Sequence, residues 1–105
     1  LEQTKHYLNQ VKNRAGIAEF SAFKSWERTL EEIQNERARE LIGEFQRKFD
    51  LVRWGIWYTK TLESADYETV RNAILPCHEY YPIPDTQVVY SGYALDNKEY
   101  EKYGL

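Results

Sequence analysis

Three glutamates at four-residue spacing, Glu36, Glu40 and Glu44, are the first residues here whose type and placement invite chemistry. Paired carboxylates cleave glycosidic bonds when they face each other across ~5–9.5 Å, normally from different elements flanking a cleft. All three fall in one helical pattern, and nothing in the sequence supplies the opposite wall of such a cleft. A dinuclear metal site would need a Glu-x-x-His step, and Glu36-Arg37-Ala38-Arg39-Glu40 has none. The same carboxylates fit ion pairs about one turn away: Glu36 with Arg39, Glu40 with Arg37, and Glu44 with Lys48. Arg37 occupies an apolar face between Ile33 and Leu41, where a buried guanidinium must be paired. Glu36, Glu40 or Asp50 can serve it, so the spacing predicts a structural ion-pair cluster rather than a catalytic one.

Cys77-His78 offers a thiol beside an imidazole, yet adjacent residues seldom point at each other, and no third group is placed to orient the pair. Cys77 is the sole cysteine, and His6 and His78 are the sole histidines, so neither an internal disulfide nor a Cys/His metal cluster can form. No glycine-rich phosphate loop, nucleophile elbow or Walker pattern is present. No catalytic residue, metal or cofactor is therefore assigned.

The elements that must position these residues follow from periodicity. Tyr7, Leu8, Val11 and Ala15 predict a helix over about Leu1 to Ala15, closed by Gly16. Ser25 can cap a second helix in which Trp26, Leu30, Ile33, Arg37, Leu41, Phe45 and Phe49 recur every three or four residues. That pattern predicts one long central helix from Trp26 to Phe49, with Gly43 inside it to admit close packing and Gly55 ending the helical stretch. A shorter helix is expected from Ser64 or Ala65 to Ala73. Pro76, Pro82 and Pro84 then forbid helix continuation, and Tyr81-Pro82-Ile83-Pro84 should run extended. From Asp85 onward only a helical patch around Asn97 to Tyr103 is expected.

The chain has 105 residues, 30% of them charged, with a net charge of -3. That is a globular composition for at most one domain, and it speaks against a nucleic-acid-binding surface. By segment, residues 1–20 sum to +1, residues 21–55 to zero, and residues 56–84 and 85–105 to -2 each, so no basic stripe exists. No apolar run approaches the ~20 residues of a membrane span, the polar opening Leu1-Glu2-Gln3-Thr4-Lys5-His6 is not a signal peptide, and no methionine occurs. The expectation is a processed or excised piece of something longer. Eight of nine tyrosines lie beyond residue 54 with Trp54 and Trp57, and no phenylalanine accompanies them. Flat rings with hydrogen-bonding tips suit half-wet surfaces, including sugar platforms, as well as the packing of loops on a larger body.

Three blocks, taken together, resemble the SusD/RagB family. Ile33-Gln34-Asn35-Glu36-Arg37-Ala38-Arg39-Glu40-Leu41 leading to Arg47-Lys48-Phe49-Asp50-Leu51-Val52-Arg53-Trp54-Gly55 is similar to the family's I-x-x-E-R-x-x-E-L and R-x-F-D-L-x-R-W-G signature. Tyr81-Pro82-Ile83-Pro84 resembles its F-P-I-P segment, and Leu8-Asn9-Gln10-Val11-Lys12-Asn13-Arg14-Ala15-Gly16 its L-N-x-V-R-x-R-A-G step. The order is the family's order. The chain departs where the family usually has E-G-x-R and Glu44-Phe45-Gln46-Arg47 stands here, and its tail lacks the usual Asn-Pro step.

The resemblance implies a mainly α fold: the C-terminal segment of a SusD-like domain spanning residues 1–105, with a long central helix, an irregular Pro- and Tyr-rich tail, and an upstream helical-repeat part outside this chain. It implies a cell-surface, lipid-anchored outer-membrane protein of Bacteroidetes-type bacteria that captures polysaccharide or oligosaccharide for a SusC-like TonB-dependent transporter. The lipid-bearing cysteine would lie outside this chain, and no nucleic acid is expected as a partner. Glu36, Arg37, Glu40, Arg47, Asp50, Arg53, Trp54, Gly55, Pro82 and Pro84 would be structural motif residues. Trp57 and Tyr58, just past Gly55, are the candidate glycan contacts of this piece. The alternative is a helical protein-protein interaction module without glycan binding, or a fragment of an enzyme whose active site lies elsewhere.

Overall fold

The computed structural model describes residues 2–21 and 25–105, so Leu1 of the first expected helix lies outside the described residues. These residues are helical, without a strand among them, and the chain divides into two compact units, Leu1–Lys48 and Phe49–Leu105.

In the first unit α1 spans Glu2–Arg14 and α2 spans Trp26–Glu40. Ser25 caps α2 as its type suggests: its backbone is extended and its hydroxyl accepts the Arg28 N–H at 3.2 Å. Glu27 in the first turn has its carboxyl held below the usual range, by a backbone hydrogen bond and then by Ser25. At 15 residues α2 is the longest described helix, but it is shorter than its apolar pattern. The chain leaves it at Leu41 and turns before α3, Arg47–Arg53. Gly43 adopts φ +80° with open space where a Cβ would stand, so it makes the turn instead of admitting a neighbouring helix. Phe45 also takes a left-handed φ, 59°, which strains an aromatic residue. The resembled family usually has glycine there, which carries this φ without steric cost. Arg47 ties the new helix back to α2 through a 3.1 Å bond from Nη1 to the Gln34 carbonyl.

The second unit runs through α3 to Gly55, whose φ of 68° completes a Schellman closure: the Gly55 N–H reaches the Val52 carbonyl at 2.9 Å and the Ile56 N–H reaches Leu51 at 3.0 Å. Then come α4 (Trp57–Ser64), which periodicity did not reveal, and α5 (Glu68–Ala73), which starts later than expected. A 3-10 turn, Pro76–Glu79, packs on α4. Residues 81–84 are in neither helix nor strand, and Pro84, at φ -56° and ψ 136°, takes the expected polyproline-like backbone. Two short helices close the chain, α6 (Asp85–Tyr90), which the sequence analysis missed, and α7 (Lys98–Glu101), inside the anticipated helical patch.

The two interiors differ in kind. Leu8 is the buried apolar residue described in the first unit, beside buried Asn9, Lys12, Thr29, Glu32 and Glu36. Leu51, Trp57, Ala65 and Cys77 are buried in the second, with Asp50 as the polar member.

Candidate functional site

A charged cluster of the first unit centres on Lys12. A lysine in the last turn of α1 points at two carboxylates one turn apart on α2, which is why both can reach it. Lys12 Nζ lies 2.8 Å from Glu32 Oε1 and 3.4 Å from Glu36 Oε2, with the Lys12 and Glu36 side chains only 7% and 6% exposed. Arg39 closes the ring from the solvent side, its Nη2 2.9 Å from Glu32 Oε1 and 2.6 Å from Glu36 Oε2. Two cations and two anions cancel, so the burial cost is offset. Burial pushes the Glu32 carboxyl up, but Lys12 and Arg39 together outweigh it and hold the group below its usual range. The Glu36–Arg39 pair was expected from spacing; Lys12 was not. Arg37 is half-buried and lines a groove with Tyr7, Val11, Ile33 and Leu41.

Glu40 pairs with Arg14, whose guanidinium is held more firmly protonated by the hydrogen bond and charge of Glu40. Glu44 sits in the turn beyond α2, so the three glutamates do not share a helix. Cys77 is buried, and the His78 Nδ1 accepts the Leu75 N–H at 3.2 Å, which occupies the imidazole in capping its own turn. Asp50 is buried and accepts from Arg53 Nη2 at 2.7 Å, and the Arg53 guanidinium lies 5.8 Å from the Trp54 ring centre. Glu36, Asp50, Arg53, Arg47 and Gly55 thus have local structural contacts, while Trp57 is only 8% exposed and Tyr58 half-buried. A ring as enclosed as Trp57 offers no open face to a sugar in this conformation.

An aromatic basin of the second unit was not anticipated. Pro82 and Pro84 have no N–H, so Ile83 carries the one backbone donor of that tripeptide. The Asn97 side chain takes it: Oδ1 accepts the Ile83 N–H at 2.8 Å and Nδ2 donates to the Ile83 carbonyl at 2.9 Å. A side-chain amide matches both backbone groups of one residue as a neighbouring strand would. The same device occurs in the first unit, where Asn9 accepts the Phe20 N–H at 2.9 Å and donates to its carbonyl at 3.2 Å. With the Pro82–Pro84 segment held, the Tyr100 hydroxyl donates to the Tyr80 carbonyl. Partial desolvation raises the Tyr100 phenol above its usual value, with Cys77 and Tyr81 adding to the effect, so it stays a donor. The result is a cavity of about 600 Å³ walled by Tyr80, Tyr81, Tyr100, Glu79 and Asp96. Among the described residues no cluster of His, Cys, Asp and Glu is arranged to hold a metal ion.

A sequence model of the SusD family matches residues 1–100. The chain belongs to the SusD family. Its mainly α structure agrees with that membership. A "SusD-like protein P25" of Formosa agariphila is 36% identical over 87 residues, covering 74% of this chain. The match takes in 16% of that relative's length, so the chain spans about a sixth of it. No solved structure matches. No described helix is long and apolar enough to cross a membrane.

Proposed function

We propose that this chain is the C-terminal segment of a cell-surface glycan-binding protein that captures polysaccharide or oligosaccharide for a SusC-like TonB-dependent transporter of the outer membrane. The observation that carries the reading is the SusD family match across residues 1–100. The protein is held at the membrane by a lipid anchor outside these residues, and capture is non-covalent: sugar faces stack on aromatic rings while fixed polar groups bond the hydroxyls. Trp54, Gly55 and the Asp50–Arg53 pair are framework in this reading, as are the prolines of the Tyr81–Pro84 segment. Trp57 serves as core, and Tyr58 remains the candidate contact on α4.

Exposed apolar residues support a larger body around this segment. Ile42 is 82% exposed and Phe45 90% exposed, more than a self-sufficient small domain usually leaves open. The test is titration of the intact protein against a polysaccharide panel. Saturable binding to at least one glycan is expected. Binding to none, with tight binding to a soluble protein instead, would replace this reading with that of a helical interaction module.

A further inference from the structure

Resting on the glycan-capture reading, we infer that the basin between the Pro76–Glu79 turn and α7 is a subsite for neutral sugar residues, with Tyr80 and Tyr81 as its platform and Glu79 as a hydroxyl acceptor.

Its volume, about 600 Å³, falls within the range of small-ligand pockets. Tyr80 and Tyr81 border the cavity and are 66% and 72% exposed. Their backbone is fixed beforehand by the Asn97 clamp on Ile83 and the Tyr100 bond to the Tyr80 carbonyl, which lowers the ordering cost of binding.

The charges on the wall define the sugar class. Lys98 is tied to Asp96 at 2.7 Å, and Lys102 beside the basin is tied to Glu99 at 2.5 Å. Each lysine already serves a carboxylate of its own, and no arginine lines the cavity. Glu79 is half-buried on the same wall and has no ion-pair partner among the described residues. An unpaired carboxylate accepts hydrogen bonds from sugar hydroxyls readily, and it repels a uronate or a sulfate at close range. The basin therefore suits neutral glycans and disfavours acidic ones.

The experiment is calorimetric titration of the intact protein with amylopectin, galactomannan, laminarin and polygalacturonate, repeated on three variants. The unchanged protein should bind a neutral polysaccharide and not polygalacturonate. Tyr80→Ala/Tyr81→Ala should raise Kd about tenfold or more, measured below the melting temperature of the variant. Glu79→Gln, which keeps shape, should raise it about threefold, the effect of one weakened hydrogen bond. Glu79→Lys should admit measurable polygalacturonate binding. Neutral-glycan affinity unchanged in both the tyrosine and the Gln variants would overturn the subsite and leave glycan capture standing. Polygalacturonate binding that depends on the two tyrosines would overturn the sugar class. Failure to bind any of a wider glycan panel would overturn both readings.

Discussion

The unit formed by Leu1–Lys48 and the unit formed by Phe49–Leu105 solve the same problem differently. The first buries a neutral ring of charges, Lys12, Glu32, Glu36 and Arg39, with Leu8 as its buried apolar residue. The second buries Leu51, Trp57, Ala65 and Cys77, and sets Tyr80, Tyr81 and Tyr100 around a cavity. Trimming an apolar side chain leaves a cavity, whereas removing a buried member of a charge ring leaves the others desolvated and uncompensated. The lesson is a division of labour: the first unit is specified by electrostatic geometry, and the second exposes polar aromatic surface, which the proposed subsite uses.

The comparison is broken most forcefully at Lys12. Replacing Lys12 by Met should destabilise the first unit by about 3 kcal/mol, because Glu32 and Glu36 stay buried with Arg39 alone to balance them. Amide hydrogen exchange should show this as lost protection in α1 and α2 and unchanged protection in α4. The triple change Lys12→Met/Glu32→Leu/Glu36→Leu should recover most of the loss, since it removes the uncompensated charges along with the pair.

Acid acts on the same ring by protonation and should do less. The Glu32 carboxyl lies lower in the folded than in the unfolded chain, so its stabilisation is full above the unfolded value of about 4.3 and fades as pH falls through the folded one. Hydrogen exchange followed downward from pH 6 should show the first unit loosening before α4. Simultaneous loosening of both units would show that the ring is not the acid-sensitive element.

The two asparagine clamps sharpen the contrast further. Asn9→Ala should cost about 2 kcal/mol, because Asn9 is only 6% exposed and the Phe20 groups it satisfies are left without their partner. Asn97→Ala should cost about 1 kcal/mol, because Asn97 is half-buried and water can replace the amide at Ile83. Chemical denaturation of each variant measures both losses, and an equal cost would contradict the difference in burial.

The smallest effect has the opposite sign. Phe45→Gly should stabilise the protein by about 0.5 kcal/mol, as relief of the left-handed backbone slightly exceeds the added freedom of glycine in the unfolded chain. A loss of stability would show that the exposed Phe45 ring makes a contact in the intact protein worth more than the strain.

What the sequence disclosed was local. The Ser25 cap, the Gly55 closure, the start of α2 and the non-helical Tyr81–Pro84 stretch depend on neighbours a few residues away, and each appeared where its residues said. The break after Glu40 was hidden because Leu41, Phe45 and Phe49 continue the apolar spacing, although Phe45 and Phe49 are 90% and 62% exposed. Periodicity records what a helix would bury, not whether it forms. The departure from E-G-x-R at Glu44-Phe45 was the one visible hint, since a glycine there marks a positive φ. Lys12 and the asparagine clamps were illegible because their partners lie 11 to 24 residues away and the pairing depends on tertiary placement. The basin was hidden for the same reason: Tyr80 and Tyr100 come together over 20 residues. The tyrosine enrichment signalled a half-wet surface without locating it.

The division of labour is tested most directly by titrating one neutral polysaccharide, chosen as the tightest binder, into Lys12→Met and Tyr80→Ala/Tyr81→Ala forms of the intact protein, below the melting temperature of each. The account predicts that Lys12→Met keeps the unchanged protein's Kd despite its lower stability, and that the tyrosine variant, folded at the same temperature, loses about tenfold in affinity. Affinity lost in the Lys12 variant and retained in the tyrosine variant would contradict it.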